Sequence, residues 1–172
     1  MRKTDSIQIL YAQWLTTKQG KMLAVVDANA LVFLQFEEYK YLQEQLAKLK
    51  KMYEMIFERK PLHDTVEREL HQYFAGALQT FALPLALEGT PFQKLVWQKL
   101  QQIPYGKTCS YQDVARVIGI PTGCRAVARA NASNPISVIV PCHRVIKKNG
   151  DLCGYAGGVQ RKAWLLKHED RG

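Results

Sequence analysis

The first 88 residues contain no cysteine, and the four cysteines beyond them, Cys109, Cys124, Cys142 and Cys153, show no Cys-x-x-Cys spacing. A structural zinc site needs four sulfur or imidazole ligands, so His63 and His71 alone do not make one in the first half, and no metal is expected. At 172 residues the chain is long enough to bury its own core. Its cysteines therefore read as reduced thiols in a cytoplasmic protein, not as a disulfide framework. No apolar run approaches the roughly 18 residues of a membrane span. The stretch IQILYAQW (7–14) is short and broken by Gln8 and Gln13, so neither a secretory leader nor a membrane partner is expected. Acidic residues are scarce late in the chain. Residues 89–172 carry 4 Asp/Glu against 13 Lys/Arg, whereas residues 1–88 carry 11 of each. The net charge of +9 lies wholly in the second half, which points to a polyanionic partner there.

Three apolar stretches with strand character open the chain: IQILYAQW, KMLAVVD (21–27) and LVFLQF (31–36), the last two joined by a turn at Ala28, Asn29 and Ala30. Leu42, Leu46 and Leu49 recur at helical spacing within 37–51, and MYEMIF (52–57) suits one added strand. A second helix is expected over 62–76, with Leu62, Val66, Leu70, Tyr73 and Phe74 on one face and Gly76 closing it. FALPLAL (81–87) contains Pro84 and reads as an edge strand or an extended linker. Trp14 and Phe33 are expected in the core, His63 and His71 in solvent. No chemistry is expected in this half.

The second half opens with Thr90, Pro91 and Gln93, a capping box that starts a helix running to about Ile103. Ser110 and Asp113 start the next, which Gly119 ends; Pro121 and Thr122 open a third that runs to about Ser133. Two short helices around a tight turn read as a helix-turn-helix. The second of them alternates Ala126, Ala128, Ala130 and Ala132 with larger residues and carries Arg125 and Arg129 four apart, on one face. ISVIV (136–140) has the length and β-branching of a buried strand; Pro141 ends it and delivers Cys142 and His143. A final helix starts near Gly158, with Val159, Ala163 and Leu166 as its packing face and Glu169 near its end. The fold class expected is α+β: an N-terminal α/β domain with an antiparallel sheet (1–88), then a mostly helical domain (89–172) holding the helix-turn-helix and the Cys142 strand.

Cysteine is a soft nucleophile, and histidine moves protons near neutral pH. On an extended chain the side chains of Cys142 and His143 point to opposite faces, so a bridging water or a local bend is needed between them. The segments SYQD (110–113), CRAVARANASNP (124–135), PCHRV (141–145), GYAGG (154–158) and KAWLLKHE (162–169), in that order and spacing, resemble the O6-alkylguanine-DNA alkyltransferases of bacterial type. The likeness runs from about Thr90 to Glu169; in the first half only HQYFAG (71–76) matches loosely.

The resemblance implies direct repair of double-stranded DNA, in which the alkyl group on O6 of guanine, or O4 of thymine, passes irreversibly to Cys142 in a single turnover. It implies a relay Cys142–water–His143–Glu169, with Asn134 linking the recognition helix to the Cys142 segment and Tyr111 donating to the leaving guanine. The target nucleotide is flipped out. Tyr111, Gln112, Arg125, Ala126, Ala128 and Arg129 then face DNA, with Arg125 filling the vacated place in the stack, while Val145, Tyr155, Ala156 and Gly157 form the base pocket. A monomer with no cofactor is implied. This chain departs from the family's pattern at Arg129, bulky where relatives often have a small residue, and at Ala156, where animal relatives have serine. A helix-turn-helix regulator would need a dimer, for which no dimer helix is legible. A cysteine hydrolase would leave the basic half and Arg125 without a purpose.

Overall fold

The computed structural model describes residues 8–152 and 154–170. β1 (Ile9–Thr17), β2 (Gly20–Val26) and β3 (Leu31–Phe36) form an antiparallel meander. The β2–β3 turn is set by Asp27, whose carboxylate accepts the N–H groups of Asn29 and Ala30, both at 2.7 Å. The central strands are nearly all apolar because both sheet faces are covered. Met22, Ala24 and Val26 face the second half of the chain, whereas Leu23 and Val25 pack with Leu42, Leu46 and Leu49 of α1 (Leu42–Met52). After α1 the chain enters β4 (Glu54–Phe57), which pairs parallel to β1 and gives the order β3-β2-β1-β4. The sheet is therefore mixed, not the antiparallel one expected. The helical crossover between β3 and β4 brings the chain back in the direction of β1, which a tight hairpin cannot do.

α2 (Pro61–Phe74) packs on β1 and β2. His63, expected in solvent, is fully buried, and its Nδ1 accepts the Lys60 N–H at 2.9 Å, so the ring caps the helix start. Trp14, expected in the core, is 36% exposed. β3 is an edge strand, and two segments cover its free edge: Leu31 bridges to Leu85 and Leu34 to Ile136.

α3 (Pro91–Leu100) has the expected capping box, with Thr90 Oγ1 accepting the Gln93 N–H and Gln93 Oε1 accepting the Thr90 N–H. α4 (Tyr111–Val117) is capped reciprocally by Ser110 and Asp113. α5 (Cys124–Ala132) packs against α4 and starts at Cys124, later than Pro121 suggests. Trp97 of α3 donates its indole N–H to the Ala130 carbonyl at 2.8 Å, joining α3 to α5. Val96, Trp97, Leu100, Val127, Ile136, Val140 and Leu165 share one apolar cluster with Met22, Leu34 and Phe36 of the sheet. Truncating the leucine, isoleucine, methionine or aromatic members of this cluster to alanine removes about 2–5 kcal/mol. No helix among the described residues is long and apolar enough to cross a membrane.

Two further expectations fail, both in the second half. Residues 136–140 are not a strand. After the single bridge at Ile136 the chain coils, with the Val140 N–H on the Ile136 carbonyl (3.1 Å) and the Cys142 N–H on the Val140 carbonyl (2.8 Å). Val138 has φ of 73°, left-handed backbone that a β-branched residue adopts only at a cost of about 1–3 kcal/mol. Cys142–Arg144 form a single 3-10 turn, and only Val145–Ile146 (β6) is extended, pairing with Cys109–Ser110 (β5). The β-branched side chains are buried in a packed turn, and the Asn134 carboxamide takes the Ile136 N–H that a ladder would have used. The second failure is the packing face of α6 (Val159–Asp170). Val159 is exposed, and the buried positions are Lys162, Leu165 and Glu169. The helix is docked against a polar site, so its inward face carries two charges.

Candidate active site

The turn between α5 and β6 is held by two asparagines. Asn134 Nδ2 donates to the Val140 carbonyl (2.8 Å) and to Cys142 Sγ (3.1 Å), while its Oδ1 accepts the Ile136 N–H (3.0 Å). Asn131 Nδ2 donates to the Cys142 carbonyl at 3.3 Å. Cys142 is 4% exposed. Burial pushes its thiol above the usual range; the Asn134 amide, then the charge of Lys162, then the nearby backbone N–H groups pull it back toward the thiolate. Lys162 is itself fully buried, with Nζ donating to the Val145 carbonyl at 2.6 Å and lying 5.8 Å from the Tyr111 ring.

The 3-10 turn supplies the bend that neighbouring Cys and His side chains require. It directs His143 Nε2 to Glu169 on α6, 2.9 Å from Oε1. The carboxylate also accepts from Arg144 Nε (2.8 Å), Arg144 Nη2 (2.9 Å), the Tyr73 hydroxyl (2.6 Å) and the Gly106 N–H (3.3 Å). Burial alone would raise the Glu169 carboxyl, but the hydrogen bonds from His143, Arg144 and Tyr73 outweigh it and hold the group well below the usual carboxylate range. Burial lowers the pKa of His143, with Glu169 opposing, so the ring is neutral at pH 7. An ionised Glu169 places the imidazole hydrogen on Nε2 and leaves Nδ1 as the acceptor. Nδ1 has no hydrogen-bond partner among the described residues.

Tyr155, Ala156 and Gly157 line a narrow cleft with Cys142, Asn134 and Tyr39. A Cβ on Gly157 would meet Tyr155 Cε1 at 2.8 Å, so this wall tolerates no side chain there without moving the ring. Val145 does not line the cleft; it is buried in β6. Tyr111 is buried at the start of α4, its hydroxyl close to the Cα side of Gly154. Gln112, Arg125 and Arg129 are exposed, Ala126 and Ala128 half-buried, and neither arginine makes an ion pair among the described residues.

Sequence reasoning missed Tyr39, Tyr73, Asn131, Arg144 and Lys162. For Lys162 a signal existed. Lys162, Leu165 and Glu169 stand at three- and four-residue steps, the spacing of one helix face. Tyr73 sits inside HQYFAG, the one early segment with a family likeness.

A thiol at the back of a helix-turn-helix puts a nucleophile next to whatever that motif binds, which is the architecture of a DNA-acting cysteine transferase. Residues 91–171 match the family model described as 6-O-methylguanine DNA methyltransferase, DNA binding domain. Over 165 residues the chain is 44% identical to the methylated-DNA–protein-cysteine methyltransferase of Shigella flexneri, covering 93% of this chain and 95% of that one. The Salmonella typhimurium protein of the same name is 43% identical over the same length. Among solved structures, the O6-methylguanine methyltransferase of Mycobacterium tuberculosis superposes with a TM-score of 0.81 at 36% identity, covering 94% of this chain and 93% of that one. A structure of OGT from that organism in complex with DNA gives 0.80 at 36% identity, covering 95% and 93%. The chain belongs to the methylated-DNA–protein-cysteine methyltransferase family.

Proposed function

We propose that the protein repairs alkylated DNA directly, with Cys142 as the acceptor of the alkyl group on O6 of guanine or O4 of thymine. The observation that carries this reading is the wiring of one turn: the sulfur under the Asn134 amide, and His143 beside it with Nε2 on Glu169 and Nδ1 unpartnered among the described residues. The thiol proton passes through water to His143 Nδ1, and Glu169 stabilises the imidazolium. The thiolate attacks the alkyl carbon, the S–C bond forms as the C–O bond breaks, and the electron pair leaves on the base oxygen. The Tyr111 hydroxyl donates to N3 of the departing guanine. The product is a thioether that no side chain in the site reverses, so each chain acts once.

The target lies in a stacked duplex and has to be flipped out. Arg125 takes its place in the stack. Tyr111, Gln112, Ala126, Ala128 and Arg129 lie along the DNA, and Tyr155, Ala156 and Gly157, backed by Val145, receive the base. In this reading residues 1–88 form one domain and 89–172 the DNA-binding and acceptor domain, in a cytoplasmic monomer. The test is stoichiometry: with excess duplex carrying O6-methylguanine, transfer stops at one methyl per chain, and Cys142→Ser transfers none. Sustained turnover, or transfer by the serine variant, contradicts the reading.

A further inference from the structure

The first half of the chain reaches the cysteine turn through one fully buried polar side chain, Gln35 of β3. Its Nε2 donates to the Asn134 carbonyl at 2.6 Å, and its Oε1 accepts the Ser137 hydroxyl at 2.5 Å. Backbone bonds flank it: the Leu34 N–H on the Pro135 carbonyl and the Ser137 N–H on the Leu34 carbonyl. The carboxamide thus grips both ends of the Asn134–Ser137 segment, directly before the strained Val138. A buried carboxamide in a strand otherwise made of apolar residues costs desolvation, which its two side-chain bonds offset. Apolar packing alone does not need it.

Asn134 is where the grip matters. Its carbonyl is held by Gln35, while its side chain spans the Ile136 N–H, the Val140 carbonyl and Cys142 Sγ. A shift of the Asn134 backbone therefore moves the amide donor off the sulfur. We propose that Gln35 is a positioning residue for alkyl transfer, holding the Asn134–Ser137 segment so that the Asn134 amide stays on the Cys142 sulfur. The inference rests on Cys142 being the acceptor. A hydrogen bond to a thiolate is charge-assisted and favours the ionised form, so its loss shows in the ionisation of the sulfur as well as in stability.

The test is the pH–rate profile for transfer from free O6-benzylguanine, which needs no DNA. Gln35→Met removes both bonds at similar volume. Its profile shifts to higher pH by about one unit, which lowers the rate near neutral pH about tenfold and keeps the plateau at high pH. Gln35→Glu keeps the acceptor for Ser137 but, when ionised, has no donor for Asn134, and it shifts the profile the same way. Ser137→Ala removes only the other arm and shifts it less. A Gln35 that served packing alone would lower the melting temperature and leave the midpoint in place. If Gln35→Met does not fold, an unmoved midpoint in both Gln35→Glu and Ser137→Ala overturns the proposal. Failure of the unmodified chain to take a methyl group onto Cys142 from a duplex carrying O6-methylguanine would instead remove the acceptor role on which it rests.

Discussion

Glu169 collects hydrogen bonds from His143, Arg144, Tyr73 and the Gly106 N–H, so one carboxylate from the last helix ties together α2, the 3-10 turn and the loop after α3. Its folded-state pKa is depressed. The stability it supplies is therefore fully present above the unfolded carboxyl value of about 4.3 and is lost as pH falls through the folded value. Glu169→Gln leaves the Arg144 charge buried without its partner, at a cost of about 3–5 kcal/mol at pH 7. The gap in melting temperature between the two proteins narrows as pH is lowered below about 5. Thermal melts from pH 7 to pH 3 check this; a constant gap would mean that Glu169 acts through shape and not charge. In activity, the glutamine no longer stabilises an imidazolium at His143, so transfer slows even where the variant is folded.

At the scale of elements, α5 carries the DNA-facing reading. Arg125 is exposed in its first turn, while Val127, Ala130 and Asn131 face inward, so one short helix presents an arginine outward and holds Cys142 from behind. Arg125→Ala slows repair in duplex DNA far more than reaction with free O6-benzylguanine, which needs no flipping. Equal losses on the two substrates would assign Arg125 another role. Capping boxes, the β2–β3 turn and the leucine spacing of α1 were legible because each is written within a few residues. Residues 136–140 were not: a β-branched apolar run suits a buried strand and a buried turn equally, and the choice was made by Asn134 and the β3 edge. The α6 face was misread because a buried Lys162 looks like a solvent residue until its partner, the Val145 carbonyl, is known. The hydrogen bonds that tie the first half to the site were illegible for a related reason. Tyr73 and Glu169 are 96 residues apart, and Gln35 and Ser137 are 102, distances over which no local pattern speaks.

For the whole molecule, the surplus of positive charge lies in residues 89–172. Each phosphate neutralised on duplex DNA adds roughly −0.9 to the slope of log K against log salt. A single small module makes about four to six such contacts, so undamaged DNA binds weakly, with a modest slope that does not depend on sequence. Lys147 and Lys148 are exposed in a turn closed by the Gly150 N–H on the Lys147 carbonyl, directly after β6 and free to reach phosphates. Neutralising both lowers the slope by up to about two contacts and leaves reaction with the free base unchanged. A salt-independent affinity would remove the basic half as the DNA face. The central claim, that Cys142 itself takes the alkyl group, is tested most directly by mass spectrometry of the intact chain after incubation with a duplex carrying O6-methylguanine, followed by peptide mapping. The account predicts one added methyl per chain, located on Cys142 and stable to thiol reductants; an unmodified chain, or a methyl on Cys109, Cys124 or Cys153, would contradict it.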